Sequence, residues 1–319
     1  TADITTIHGF CNKTIRREAI DHGSKLNPKI EKDSSSLIQE IVEEYWKEEI
    51  LEIKSNDLKG ILKSNFSIKN LSKALNIIDN DSSNYYQNRF KHIEANETLS
   101  SQFYHHIDSL WSEFTHLWEI EGKELEESFK EFAIELKSIG ISDTKPYSPK
   151  PRKDRYMILN NWIEDYKKTK RPSYNDIQSQ SLFNKYFHPK NLNTLISKYQ
   201  INNEISKNSK LLCKIGELID SPKDIVWEHA LSWINKEIKN RKHKKGIIIY
   251  SDLLKSLDPK RLLIDNNKKK ISKGKVLFNN LRHRYKVALI DEFQDTDPVQ
   301  LRLLNEVFGC KNNHLLIMI

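Results

Sequence analysis

Cysteines and long apolar runs are scarce in this chain, and each scarcity excludes a class of protein. The three cysteines, Cys11, Cys213 and Cys310, form neither a Cys-x-x-Cys pair nor a Cys/His spacing, which argues against a disulfide framework and a structural zinc site. No run of about 18 apolar residues could span a membrane. No charged-then-apolar secretion signal stands at the N-terminus. We expect a soluble cytoplasmic protein without a membrane partner.

Glycine is also sparse, and the nine glycines form no nucleotide-binding loop. A Gly-x-x-x-x-Gly-Lys-[Ser/Thr] loop cradles nucleotide phosphates with its backbone N–H groups. Only Gly122 and Gly274 precede a lysine, and neither has a glycine five residues earlier. Glu124 and Val276 stand where Ser or Thr is required. We therefore expect no appreciable ATP hydrolysis from the isolated chain.

The most informative feature that is present is a carboxylate pair after a short apolar run. Val287-Ala288-Leu289-Ile290 is too short for a free-standing helix and predicts a strand buried on both faces. The residues that follow read Asp-Glu-Phe-Gln-Asp-Thr-Asp-Pro-Val-Gln, from Asp291 to Gln300. Acids at the C-terminal end of such a strand lie where open α/β sheets bind their ligands. Two adjacent carboxylates suit Mg²⁺ binding and polarisation of a water that attacks a γ-phosphate.

A structural reading of the same acids stays open. Strands that end in acids before a helix are common, and Asp295 or Asp297 could serve as the N-cap of the next helix. The ten-residue string as a whole, and not the acid pair alone, favours a catalytic site.

The string resembles motif II of UvrD-type superfamily 1 DNA helicases, and its Phe and Asp-Pro features resemble the RecB-like branch. A second segment, Thr5-Thr6-Ile7-His8-Gly9-Phe10-Cys11, is similar to the family's Thr-Ile-His-Gly-Phe-Cys turn, which helps to contact single-stranded DNA. A third, Tyr250-Ser251-Asp252-Leu253-Leu254, resembles the family's Phe-Asp-Asp-Leu-Leu segment, with Ser251 in place of the first Asp. The three segments follow in the family's order.

The resemblance implies an ATP-driven 3′-to-5′ DNA helicase subunit that acts with RecC- and RecD-like partners in double-strand break repair and recombination. It implies Mg²⁺ and ATP as cofactors and single-stranded DNA and duplex ends as partners. Asp291 would hold Mg²⁺, Glu292 would be the catalytic base, and Gln294 and Asp295 would link the nucleotide state to the grip on DNA.

The same resemblance makes Thr6 and His8 the best candidates for DNA contacts, with Asp252 a weaker one. A lone histidine after a short strand is more often a satisfied hydrogen-bonding residue. No Ser-His-Asp or Cys-His arrangement with a recognisable context supports nucleophilic catalysis.

Positive charge provides further candidates for contacts with nucleic acid. The formal net charge is +8, which fits phosphate neutralisation by Lys and Arg. Basic residues cluster in three stretches: 145–155, 236–245 and 268–275. We interpret the first as a loop, because Pro146, Pro149 and Pro151 interrupt it. From the second stretch we predict DNA contacts by Lys242, Lys244 and Lys245. The alternative is a solvated helix end, because bases in a last turn complement the helix dipole.

The predicted fold is α/β and mostly helical: an incomplete P-loop NTPase (RecA-like) parallel sheet that carries a large inserted helical subdomain. Residues 1–20 and 241–319 are assigned to the first motor domain, and residues 21–240 to the insertion. An apolar stripe predicts one helix from Phe103 to Leu136 that ends before Gly140, or two helices broken near Gly122. Three further helices are predicted: 37–53, 154–166 and one that begins after Pro222. Four tryptophans are assigned to the core: Trp111, Trp118, Trp162 and Trp233.

The last five residues, Leu315 to Ile319, are apolar and predict another buried strand, and we expect the chain to be a fragment of a longer helicase. Two other functions stay open. One is a non-enzymatic DNA-binding module with a vestigial acid pair, which would bind DNA with or without Mg-ATP. The other is a metal-dependent nuclease that uses Asp291, Glu292 and Asp295, which would degrade DNA without ATP.

Overall fold

A computed structural model describes residues 3–17, 29–80, 97–140, 149–168, 171–180, 186–201, 205, 209–263, 268–309 and 313–319. The chain forms two compact units, unit 1 (residues 1–41, 72–92 and 233–319) and unit 2 (residues 42–71 and 93–232). In chain order the elements are α1 (Ile7–Arg17), β1 (Lys29–Glu31), α2 (Ser35–Tyr45), a π-helical turn (Trp46–Ile50), α3 (Ser55–Lys63), α4 (Ile68–Asn80), α5 (Leu99–Ser138), α6 (Pro149–Lys168), α7 (Tyr174–Ser179), α8 (Pro189–Tyr199), α9 (Lys210–Lys245), β2 (Ile247–Ile249), α10 (Tyr250–Leu257), α11 (Pro259–Leu263), α12 (Lys268–Arg284), β3 (Val287–Ile290), a 3₁₀ turn (Phe293–Asp295), α13 (Pro298–Phe308) and β4 (Leu315–Met318).

The strands of unit 1 form two small parallel sheets. β1 pairs with β2 from Lys29 opposite Ile247, and β3 pairs with β4 from Val287 opposite Leu315. Parallel pairing needs a long crossover between strands, and α13 supplies it between β3 and β4. A mostly helical chain with parallel sheets confirms that part of the predicted fold. The predicted domain boundary at residue 20 lies outside the described residues, and the one at residue 240 falls within α9.

The strand β3 occurs where the sequence predicts it, but the prediction that both faces are buried is wrong. Ala288 and Ile290 pack against the core of unit 1. Val287 and Leu289 point to the opposite face and are 58% and 62% exposed. On β4 only Leu316 is partly buried, and Leu315, Ile317 and Met318 are exposed, so the predicted burial of the last strand is wrong as well. The reason is that the helices of the core cluster pack on only one side of these strands.

The core of unit 1 is built from one face each of several helices. Its fully buried members come from α1, α10, α11, α12 and α13: Cys11, Ile15, Leu253, Leu254, Leu257, Leu262, Leu277, Phe278, Leu281, Val299, Leu303, Leu304, Val307 and Phe308. Ala288 and Ile290 of β3 and Leu316 of β4 pack against this cluster, which fixes the position of the strand that precedes Asp291.

Helix α5 dominates unit 2 and is continuous over 40 residues. Gly122 lies inside it and does not break it. A Cβ at Gly122 would come within 3.3 Å of the ring of Trp118, so the glycine makes room for that buried indole. Gly140, with φ +72°, follows the last turn as predicted. Trp111 and Trp118 are buried as predicted, whereas Trp162 and Trp233 are half-buried.

Helix α9 begins earlier than the sequence predicts and contains Pro222. A proline inside a helix removes one main-chain hydrogen bond and displaces the neighbouring carbonyls. Here the hydroxyl of Tyr174 donates to the Ile219 carbonyl near the proline at 2.6 Å and accepts from the Gln178 side-chain amide at 2.7 Å. The Gln178 amide also donates to the Ile219 carbonyl at 2.8 Å. Side chains of α7 therefore satisfy a carbonyl close to the proline, and α9 continues through it.

Helix α6 also begins earlier than predicted. The stretch of prolines and bases that we interpreted as a loop is helical from Pro149 onward, since prolines are tolerated in the first turn of a helix. Residues 141–148 of that stretch lie outside the described residues.

Candidate functional site

Asp291 and Glu292 lie together at the C-terminal end of β3, and both are exposed. The Glu292 N–H donates to Asp291 Oδ1 at 3.0 Å. The Gln294 side-chain amide donates to the Glu292 carboxylate. The structure therefore brings three of the predicted nucleotide-site residues into one short loop and leaves the oxygens of Asp291 facing solvent.

The backbone of Glu292 is left-handed, with φ 54° and ψ 46°. This region costs a residue with a Cβ about 1 kcal/mol or more, and strained residues of this kind cluster at functional sites. The turn that follows is closed by the Asp295 N–H, which donates to the Glu292 carbonyl at 3.0 Å. Left-handed backbone at Glu292 turns the chain sharply directly after β3, where the Glu292 side chain is exposed.

Asp297 ends the loop as the N-cap of α13. Its Oδ1 accepts from the N–H groups of Val299 and Gln300 at 2.7 and 2.9 Å. The predicted capping role is thus confirmed for Asp297, while Asp295 has an exposed side chain. The loop is also held to β4, because the Phe293 N–H donates to the Ile319 carbonyl at 3.0 Å.

Thr6 occupies the N-cap position of α1. Its hydroxyl accepts from the Gly9 N–H at 3.1 Å, and its carbonyl accepts from the Phe10 N–H at 2.9 Å. A Cβ at Gly9 would lie 2.3 Å from the Thr5 hydroxyl oxygen, so a larger residue there would force the Thr5 side chain to move. Thr6 itself is exposed.

His8 lies against an aromatic ring that the sequence did not single out as a site residue. The rings of His8 and Tyr250 are 5.0 Å apart, with an interplanar angle of 53°. Tyr250 is the first residue of α10 and is 45% exposed. The signal in the sequence was an aromatic residue directly before the polar-apolar pattern of α10. Together the half-buried His8 and the exposed Tyr250 form a pair of rings, which we call the His8–Tyr250 platform.

Cys11 connects the first segment to the loop after β3. Burial raises the pKa of the Cys11 thiol to about 12, and the negative charge of Asp297 adds to the increase. Cys11 and Val299 of α13 belong to the same buried cluster, so two of the three resembling segments are neighbours in unit 1.

The predicted DNA contact by Lys242 is wrong. Lys242 is 7% exposed, and its ammonium donates to the two carboxylate oxygens of Asp79 at 2.7 and 2.8 Å. It also donates to Asp252 Oδ2 at 3.1 Å, so that carboxylate is already paired. A long side chain on a helix can face inward, and the charge cluster in the sequence does not say which lysine does so. Lys244 and Lys245 are exposed, and Lys245 lies 3.7 Å from Glu40.

Within the described ranges no group of three or more His, Cys, Asp or Glu side chains could enclose a metal ion. Mg²⁺ is commonly held by one or two carboxylates together with phosphate and water oxygens, so an exposed pair such as Asp291 and Glu292 fits that ion. Among the same residues, no helix is long and apolar enough to cross a membrane.

Comparison with known proteins gives one family and a consistent set of relatives. The model of the UvrD/REP helicase N-terminal domain matches residues 1–319. The RecBCD enzyme subunit RecB of Escherichia coli (strain K12) is 23% identical over 328 residues, which cover 100% of this chain and 24% of that protein. The RecB subunit of Buchnera aphidicola subsp. Acyrthosiphon pisum is 24% identical over 338 residues, with the same coverage. That of Buchnera aphidicola subsp. Schizaphis graminum is 32% identical over 136 residues, or 42% of this chain and 10% of that protein. The chain spans about a quarter of the length of the first two relatives.

Proposed function

The chain belongs to the UvrD/REP helicase N-terminal domain family, and from that membership we propose that it is part of an ATP-driven 3′-to-5′ DNA helicase subunit. The relatives are named as subunits of a RecBCD enzyme. The proposed context is a RecBCD-like helicase-nuclease with RecC- and RecD-like subunits, which processes double-strand breaks in repair and recombination.

The single observation that carries the proposal is the exposed carboxylate pair at the end of a parallel strand. Asp291 is the proposed ligand of Mg²⁺, which would neutralise the phosphates of a bound ATP. Glu292 is the proposed base, because it is exposed next to Asp291 on a left-handed backbone and its carboxylate can accept a proton from water. Gln294 donates a hydrogen bond to Glu292. We propose that Gln294 and Asp295 couple the nucleotide state of this loop to the affinity for DNA.

The fold supports a motor domain with an insertion. Unit 1 is assembled from three separate segments of the chain, and unit 2 from the two segments between them. An inserted subdomain produces this order. We propose that unit 1 is part of a RecA-like domain and that unit 2 is the helical insertion.

The DNA side of the proposal rests on the His8–Tyr250 platform. Exposed aromatic rings bind single strands by stacking on bases, and such stacking is tolerant of sequence. Thr6, next to His8, and the exposed Lys244 and Lys245 are proposed to contact phosphates, whereas Asp252 has a structural role through Lys242.

Charge is distributed in a way that favours unit 1 as the nucleic-acid surface. Unit 1 contains 28 Lys and Arg against 17 Asp and Glu, whereas unit 2 contains 24 against 27. Phosphate contacts depend on cationic side chains. The unit with the resembling segments is thus also the one with the excess of positive charge.

The test is Mg²⁺-dependent ATP hydrolysis, stimulated by single-stranded DNA, measured on this chain and on the complete gene product that contains it. We expect no turnover by the chain, which lacks a phosphate-binding loop, and turnover by the complete product. Glu292→Gln should reduce that turnover by at least about a thousandfold. The matched control is Glu306→Gln, since Glu306 pairs with Arg282 at the far end of α13.

Two outcomes would contradict the proposal. DNA binding that is indifferent to Mg-ATP in the complete product, without hydrolysis, would indicate a non-enzymatic DNA-binding module. DNA degradation that needs Mg²⁺ but no ATP, and that depends on Asp291, Glu292 and Asp295, would indicate a nuclease.

A further inference from the structure

Unit 1 contains a buried polar cluster that the proposed activity does not use. Its centre is Asp79, in the last turn of α4 and only 6% exposed. The residues around it are also buried and come from the loop before α2 and from α9 and α10: Ser34, Lys242, Ser251 and Lys255, between 3% and 9% exposed. We call this set the Asp79 cluster.

The carboxylate of Asp79 is fully engaged. Lys242 Nζ donates to both oxygens at 2.7 and 2.8 Å, and the Ser34 hydroxyl donates to Oδ2 at 2.5 Å. A buried carboxylate is tolerated only with such partners. Removal of its charge would leave the Lys242 ammonium with one remaining carboxylate, that of Asp252, at 3.1 Å.

The main-chain carbonyl of Asp79 is used as well. It accepts from the Ser251 hydroxyl at 2.9 Å and from Lys255 Nζ at 2.8 Å. The last carbonyls of a helix have no partner inside the helix. Side chains of α10 satisfy this one, and Ser251, which stands where the resembling segment has an aspartate, supplies one of the two donors.

Apart from Ser34, which bonds only to Asp79, these residues connect Asp79 to the first two turns of α10. Ser251, Asp252 and Lys255 anchor the start of that helix, and Tyr250 directly precedes them. Successive residues of a helix are separated by about 100° of rotation, so a small turn of α10 about its axis would swing the Tyr250 ring away from His8. The cluster therefore fixes the direction of a ring that is itself 45% exposed.

We infer that Asp79, through Lys242 and the first turn of α10, is a positioning residue for the His8–Tyr250 platform and hence for binding of single-stranded DNA. This inference rests on the proposed function in one respect, namely that the platform contacts DNA. Asp79 touches neither DNA nor nucleotide in this role.

The test compares Asp79→Asn with Asp258→Asn. Asp258 is a matched control because it is 2% exposed, pairs with Arg302 at 2.9 Å and stands at the opposite end of α10. Both substitutions should lower the melting temperature. Only Asp79→Asn should weaken binding of a single-stranded oligonucleotide, measured by fluorescence anisotropy, by about tenfold, the size of the loss of one stacked base.

A second comparison separates an effect on the position of the Tyr250 ring from a general loss of stability of unit 1. In a Tyr250→Ala background, Asp79→Asn should cause no further loss of affinity. Equal losses in Asp79→Asn and Asp258→Asn, or a full additional loss in the Tyr250→Ala background, would overturn the inference. Ser251→Ala, which removes one hydroxyl only, should give a smaller loss in the same direction and is available if Asp79→Asn does not fold.

Failure of the proposed function is distinguishable from failure of this inference. The NMR shift of the His8 ring proton reports the neighbouring Tyr250 ring without any DNA. Asp79→Asn should change it, and Asp258→Asn should not. If Tyr250→Ala leaves oligonucleotide affinity unchanged while the His8 shift responds to Asp79→Asn, the DNA contact is wrong and the positioning is right. An unchanged His8 shift in Asp79→Asn would refute the positioning.

Discussion

Glu292 combines a proposed catalytic role with an unfavourable backbone conformation. At φ 54° a side chain is strained and glycine is not. We predict that Glu292→Gly is more stable than Glu292→Ala by about 1 kcal/mol, measured as the free energy of unfolding in urea. The same pair of substitutions at Asp291, which has no positive φ, should give the opposite order, because glycine there only adds entropy to the unfolded chain.

Cys11 gives a prediction with a defined pH window. Its pKa is raised from 9.0 to about 12 in the folded chain, so the folded state retains the proton after the unfolded chain has lost it. The resulting stability is fully present below about pH 9 and is lost as the pH rises toward 12.

The measurement for Cys11 is the free energy of unfolding between pH 8 and about pH 11 for the parent chain and for Cys11→Ala. We expect the parent to lose more stability with rising pH, by up to about 1.4 kcal/mol per pH unit. When the folded chain is treated with a thiol-alkylating reagent, the exposed Cys213 should react, and the buried Cys11 should stay unmodified until the chain unfolds. Equal pH slopes for the two proteins would contradict the assignment.

At the scale of elements, α9 passes through Pro222 while the Tyr174 hydroxyl satisfies the nearby Ile219 carbonyl. We predict that Tyr174→Phe costs about 1 kcal/mol, since the Ile219 carbonyl loses one of its two side-chain donors and the Gln178 amide loses an acceptor. In a Pro222→Ala background the helix can close its own ladder, so the same change should cost less. Additivity of the two substitutions in urea unfolding would show that the hydroxyl does not serve the proline.

These elements also show what the sequence could and could not predict. β3, the position of the acids after it and the Asp297 cap follow from local patterns, and all three are confirmed. The start of α9 could not be predicted, because Pro222 normally ends a helix. Here side chains of α7, far away in the sequence, donate to the Ile219 carbonyl close to the proline. The burial of Lys242 depends on Asp79, 163 residues away in the chain, and no local pattern contains that pairing. The left-handed Glu292 has no sequence signal, since Gly or Asn would be the expected residue there.

At the scale of the whole molecule, the uneven charge of the two units makes a prediction about DNA binding. Lys244→Gln and Lys245→Gln, in the last turn of α9, should each reduce the slope of log affinity against log salt for a single strand by about 0.7. The control is Lys168→Gln, an exposed lysine in the last turn of α6 in unit 2, which should leave the slope unchanged. Equal changes from all three would mean that unit 1 has no special role in binding phosphates.

The outward face of β3 and β4 has a consequence for handling the chain in solution. Val287, Leu289, Leu315 and Ile317 are between 40% and 62% exposed on neighbouring parallel strands. A contiguous apolar surface of this kind promotes self-association, and sulfate strengthens it by exclusion from the protein surface. Colloidal stability should therefore be highest at low salt, which preserves the charge repulsion between molecules, and should fall when salting-out agents bring these exposed strands together.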